Sequence, residues 1–216
     1  MSNSTDFHQP AHQPTALLRR MFVVAATLIL CSCAGPGSKR PAAIVTSDSS
    51  GFSISEAAGV GPWIRSDFAK ANRALEEGEV DRGIELLTQI VESSPELAAV
   101  HINLGIAYQR VDDFEHAEAS LLEAISVNPR HPVAHNELGI VYRRTGRFVE
   151  SRKSYEAALE LQPSFHFARK NLAILCDLFV SDVQCALKHY ELYRAAVPDD
   201  KNVEIWIADL RNRHGQ

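Results

Sequence analysis

From residue 62 onward, apolar residues recur at helical spacing in runs of 14 or 15 residues divided by short polar breaks. A period near 3.6 predicts helices, here over residues 63–76, 80–94, 98–111, 114–128, 132–145, 148–162, 166–179, 183–196 and 200–213. The breaks fall at Gly78, Ser94-Pro95, Asp112-Asp113, Pro129, Gly146, Pro163, Ser181-Asp182 and Pro198. Proline cannot continue a helix interior and glycine ends helices at little cost. Pro62 stands where a first helical residue is welcome. No stretch alternates apolar and polar residues convincingly enough to be a strand, so the expected class is all-α.

The helices also repeat in sequence. Leu104, Gly105 and Tyr108 return as Leu138, Gly139 and Tyr142, an offset of 34 residues. The same offset joins His101 to His135, Ala117 to Ser151, Leu121 to Tyr155, Ala124 to Ala158 and Pro129 to Pro163. A fixed period in this range means stacked helical hairpins, and such stacks hold other molecules more often than they catalyse. Gly105 and Gly139 each cost about 1 kcal/mol in a helix interior relative to alanine. They make sense if the second helix of each hairpin packs on that spot, with Ala117 and Ser151 as the facing small residues.

These residues resemble tetratricopeptide repeats, with Leu-Gly, Tyr, Ala, a large residue, Ala and Pro at the family positions of 98–131 and 132–165. Weaker copies occupy 64–97, where Lys70 replaces the leucine, and 166–199. The last copy needs one extra residue in its inter-helix turn before Ala186 and Tyr190 fall into place. Residues 200–213 read as a capping helix, with Ile205, Ile207 and Leu210 on its apolar side. The resemblance implies an α-solenoid of tandem helix-turn-helix hairpins over 62–216. It also implies that each first helix lines a concave groove. Here those positions hold Ile102, Asn103, Ile106, Gln109 and Arg110, then Asn136, Glu137, Ile140, Arg143 and Arg144, then Phe167, Lys170, Asn171, Ile174 and Asp177. Ile106, Ile140 and Ile174 would form an apolar strip flanked by Arg110, Arg143, Arg144 and Lys170. Such a groove suits an extended peptide with apolar anchors and acidic groups, because asparagine amides bond a peptide backbone and arginine holds carboxylates. The other reading is that the isoleucines are packing and the arginines a solvated edge. The carboxylate clamp of chaperone-binding repeats is incomplete: Asn103 and Lys170 match parts of it, but position 6 of the next repeat is Glu137.

The N-terminus reads as a targeting segment. Arg19 and Arg20 precede an apolar run, Met21 to Leu30, of ten residues. A bilayer span needs about 20, so the run fits a signal-peptide core. Leu30-Cys31-Ser32-Cys33 resembles a bacterial lipobox. That implies removal of 1–32 and acylation of Cys33, palmitate included, where each buried CH2 contributes about 0.8 kcal/mol of anchoring. A plain secretory signal with two incidental cysteines is the alternative. Ala34 rather than aspartate after Cys33 implies the outer membrane, periplasmic face, of a Gram-negative bacterium. Residues 33–61 are rich in Gly, Ser, Ala and Pro and show no helical or strand period, the composition of a flexible lipidated tether.

A formal net charge of -5 argues against a nucleic-acid partner. Cys176 and Cys185 fall late in one helix and early in its antiparallel neighbour. In an oxidising periplasm they can bond, or they can stay as two buried thiols. Nine histidines invite a metal reading, but no carboxylate or cysteine completes a ligand set around His101, His131 and His135. No nucleophile elbow, zinc-protease motif or phosphate loop occurs, so neither cofactor nor metal is expected. The chain reads as a non-catalytic scaffold for protein partners, reaching the membrane through its lipid alone. Its closing stretch is similar to repeat lipoproteins associated with TonB/ExbB-type systems, which implies help to an envelope complex. A pilotin-like lipoprotein for a pilus secretin and an adaptor of a peptidoglycan-remodelling enzyme are the alternatives.

Overall fold

The structure, a computed structural model, describes residues 43–48, 51–56 and 61–215. Among them are nine helices: α1 Pro62–Glu76, α2 Val80–Ser93, α3 Ala98–Arg110, α4 Phe114–Val127, α5 Pro132–Arg144, α6 Phe148–Leu161, α7 His166–Leu178, α8 Val183–Ala196 and α9 Asn202–His214. Their bounds lie within two residues of the sequence expectation. Consecutive helices pair as hairpins, α1 with α2, α3 with α4, α5 with α6 and α7 with α8, and each second helix also packs on the next first helix. The result is an all-α solenoid closed by α9.

Every hairpin turns in the same way. A residue in the left-handed region, Gly78, Asp112, Gly146 or Ser181, follows the first helix with φ of 84°, 58°, 77° and 58°. The next residue's N–H donates back to Ala74, Tyr108, Tyr142 and Cys176 respectively, at 2.8–3.0 Å. The donor lies five residues after the acceptor in the first three turns and six in the fourth. That is the one-residue insertion expected from the displaced Ala186 and Tyr190. Glycine adopts this backbone freely and Asp tolerates it; Ser181 does so at a cost.

The glycines of the first helices mark where the hairpins close. A Cβ on Gly105 would lie 2.7 Å from Leu121 Cγ, and one on Gly139 would lie 2.6 Å from Tyr155 Cε1. Leu121 and Tyr155 are fully buried, so neither can step aside. Ser151 Oγ donates to the Gly139 carbonyl at 2.7 Å, which makes the facing small residue a hydrogen-bonding one. Three apolar clusters follow one another along the stack, around Phe68 and Leu87, around Leu121 and Leu138, and around Tyr155 and Leu172. Full burial of a leucine-sized side chain contributes about 1.5–3 kcal/mol.

The cap differs in detail from expectation. Val203, Ile207 and Leu210 are buried, while Ile205 is 65% exposed. Positions 203, 207 and 210 are spaced four and three apart and share a stripe; position 205 lies on the other side. Arg213 Nη2 also reaches back to Asp177 Oδ1 at 2.7 Å, tying α9 to α7.

The segment read as a tether contains two short strands, β1 Ala43–Asp48 and β2 Gly51–Glu56, paired antiparallel with Val45 opposite Ile54. The expectation of no strand is corrected here. Ile44, Val45, Thr46, Phe52 and Ile54 are good strand formers, but the runs are too short for a period to stand out. β2 lies against α3, and a lone hairpin is marginal without such support.

Candidate functional site

The first helices of the hairpins form one continuous row, α3 against α5 and α5 against α7. Ile106, Ile140 and Ile174 recur on it, each half-buried. Ile106 packs on the central apolar cluster, Ile140 and Ile174 on the C-terminal one. Five of the expected groove residues are buried: Ile102, Asn103, Asn136, Glu137 and Asp177. Ile102 and Asn136 are fully buried, and Asn103 nearly so. Asn136 bonds to Asn171 of the neighbouring first helix, and Ile102 belongs to the central apolar cluster. Asn103 Nδ2 donates to the Ala99 carbonyl of its own helix at 2.8 Å.

A polar ladder runs across the row and joins three repeats. Asn171 Nδ2 on α7 donates to Asn136 Oδ1 on α5 at 3.0 Å. Asn136 Nδ2 donates to Glu137 Oε1 at 2.9 Å, and Gln109 Nε2 on α3 donates to Glu137 Oε2 at 3.2 Å. Glu137 is 5% exposed. Burial pushes its carboxyl up to about 7, against the pull of the two amide donors. The family positions placed Glu137 and Gln109 on this face but gave them no role. A glutamate where an asparagine is expected was the available signal.

The flanking cations hold partners within the stack, two of them carboxylates. Arg144 Nη2 pairs with Asp112 Oδ1 at 2.7 Å and its guanidinium lies over the Phe114 ring. Lys170 Nζ pairs with Asp200 Oδ2 at 2.9 Å and sits over Tyr193 and Trp206. Arg143 Nε donates to Tyr155 Oη at 3.4 Å and its guanidinium lies over Phe179. Arg110 Nη1 donates to the Leu75 carbonyl at 2.9 Å.

The remaining candidates are placed as follows. Cys176 and Cys185 form a disulfide between α7 and α8, with Cα atoms 5.9 Å apart. The pair forms a compact trio with Asp182, but bonded sulfurs leave no thiolate to hold a metal. Asp182 instead caps α8 by accepting from the Cys185 N–H and pairs with Arg152. His101 and His135 each use Nε2 to hold the carbonyl of the preceding turn's proline, Pro95 at 2.8 Å and Pro129 at 3.0 Å. Arg169 holds the Pro163 carbonyl in the same way one repeat later. His131 is buried with neither ring nitrogen hydrogen-bonded, and burial with nearby His135 lowers it to about 4. Cys33 and the signal segment lie outside the described residues.

The sequence pattern of the tetratricopeptide repeat family matches residues 102–164. Residues 102–164 are tetratricopeptide repeats, and the helical stack around them has the same fold. Many solved structures resemble this solenoid, among them the following three. The tetratricopeptide repeat protein TTC0263 of Thermus thermophilus is 26% identical, with 65% of this chain and 77% of that one covered and a TM-score of 0.57. PilF of Pseudomonas aeruginosa is 18% identical, with 70% and 68% covered and a TM-score of 0.65. The first repeat domain of Spaghetti (RPAP3), solved with the HSP90 peptide SRMEEVD, is 24% identical, with 54% and 93% covered and a TM-score of 0.52. Among curated proteins no sequence matches. The tetratricopeptide repeats here are a scaffold for protein–protein interaction.

Proposed function

We propose that this tetratricopeptide repeat protein is a lipid-anchored, non-catalytic scaffold on the periplasmic face of the outer membrane, where its inner row of helices docks a component of an envelope complex, with a TonB/ExbB-type system first among them. The observation that carries the docking part is the inner row itself. Three half-buried isoleucines recur on successive first helices beside a polar ladder that spans three repeats. Apolar anchors with amides between them suit an extended peptide segment. The RPAP3 repeats, similar in fold, hold a peptide. The anchoring part rests on the lipobox around Cys33 and on Ala34 after it.

The test is in-cell crosslinking of the tagged, membrane-anchored protein, with captured proteins identified by mass spectrometry. An inner-face variant, Ile140→Glu with Arg143→Glu, is compared with an outer-face variant, Leu122→Glu. Capture of one envelope complex by the wild type and by Leu122→Glu, lost in the still-helical inner-face variant, supports the reading. Equal capture by all three removes the inner face from the proposal. A second reading, a pilotin-like lipoprotein that helps a pilus secretin assemble, has the fold likeness to PilF on its side. Recovery of a secretin in the same experiment would select it.

A further inference from the structure

We infer that the inner face of the third repeat is built for a positive charge: an extended segment of the partner, lying along Ile106, Ile140 and Ile174, sets a lysine or arginine side chain on the Glu137 carboxylate. The inference rests on the inner face being the docking surface.

Glu137 is a charge without a counter-charge. Both its donors, Gln109 Nε2 and Asn136 Nδ2, are neutral amides. None of the ion pairs among the described residues includes it. A carboxylate offers about four acceptor sites, and two are used. Burying an ionised carboxylate without a cation costs several kcal/mol, where an apolar residue of similar volume would pack without that cost. The carboxyl held near 7 by burial records the same imbalance. An incoming ammonium or guanidinium would correct it.

The surroundings favour that sign of ligand. Arg144 and Lys170 are paired with Asp112 and Asp200, and Arg143 and Arg110 are turned to Tyr155 and the Leu75 carbonyl. An acidic ligand meets cations that already hold partners within the stack, whereas a cation that displaces the Gln109 amide reaches a carboxylate with no counter-charge. Complementarity of this kind sets partner choice more than total affinity. The approach is also defined. Gln109 is half-buried and makes the longer bond, 3.2 Å, while Asn136 is buried, makes the shorter, 2.9 Å, and is locked in orientation by Asn171. A charged donor entering from the Gln109 side replaces a neutral amide on the carboxylate with an ion pair, the counter-charge the site lacks.

The test pans the full chain, purified in detergent and immobilised, against a display library of random heptapeptides. The expected outcome is enrichment of lysine or arginine at one position between apolar residues. A selected peptide should bind about tenfold more weakly to Glu137→Gln, about tenfold more weakly when its lysine becomes norleucine, and no worse than that when both changes are combined. Gln109→Leu removes the competing amide and should bind the same peptide a few times more tightly, a gain that damage to the fold does not produce. Selection of neutral or acidic peptides, or an affinity indifferent to Glu137→Gln in a still-helical protein, overturns the inference and leaves the docking surface standing. No enrichment with the wild type overturns the docking surface and the inference together.

Discussion

Glu137→Gln should remove a loss of stability that the wild type suffers as pH rises from 4.5 to 7. In the folded chain the Glu137 carboxyl sits near 7, raised from 4.5 by burial. Below 4.5 both the folded and unfolded chains hold the proton, and the residue makes no pH-dependent contribution. Between 4.5 and 7 the unfolded chain ionises first, so stability falls as pH rises, and above 7 the full cost is present. The difference of 2.5 units, at about 1.36 kcal/mol each, is about 3 kcal/mol. Glutamine keeps the bond from Asn136, and Gln109 can turn its amide over to accept from it. The variant should match the wild type at pH 4.5 and exceed it by about 3 kcal/mol at pH 8.5, which for a domain of this size is about 6–12 °C in Tm. The assay is urea unfolding of both proteins by far-UV circular dichroism at pH 4.5, 5.5, 7 and 8.5. Other titrating groups cancel in the difference. A gap that stays constant with pH, or a variant weaker than the wild type at pH 8.5, would refute the account of Glu137 as a buried carboxyl without a cation.

Four further outcomes are expected. Gly139→Ala places a Cβ 2.6 Å from the immobile Tyr155 ring, so it should lower stability by about 1–3 kcal/mol despite the better helix propensity, measured by thermal unfolding. Cys176→Ser with Cys185→Ser opens a short loop between α7 and α8 and should cost about 2.5–3 kcal/mol in the chain-entropy treatment, read by unfolding with and without reductant on the wild type. His131, held near 4 against 6.5, stays neutral in the folded chain while the unfolded chain takes up a proton. Stability is therefore lost as pH falls from 6.5 toward 4, and His131→Leu should flatten that acid limb in the same urea series. Cys33→Ala should move the protein from the membrane to the soluble periplasmic fraction on cell fractionation; retention in the membrane would remove the lipid anchor from the proposal.

Much of the fold was legible because its signals are local or periodic. Helix spans follow from apolar spacing, and hairpin register from the 34-residue offset of Leu104, Gly105 and Tyr108. Even the extra residue in the fourth turn could be read, since Ala186 and Tyr190 were displaced by one. The site was legible only as a set of positions. Which of them face a ligand depends on how adjacent first helices approach one another, and that approach buries Ile102 and Asn136 while leaving Ile106, Ile140 and Ile174 half open. The strands at 43–56 leave no periodic signal because each is six residues long, too short for an alternation to rise above chance.

By itself the sequence determined a helical tetratricopeptide stack, its turns and the close approaches at Gly105 and Gly139. These depend on residues within one hairpin, whose spacing is set by helix geometry. Only the tertiary structure decided the electrostatics of the inner face. Arg144 with Asp112, Lys170 with Asp200, and Gln109 with Glu137 join residues about one repeat apart, and charge partners carry no periodic signature in the chain. Once those pairs form, Arg144 and Lys170 are neutralised, while Glu137 is held by neutral amides alone.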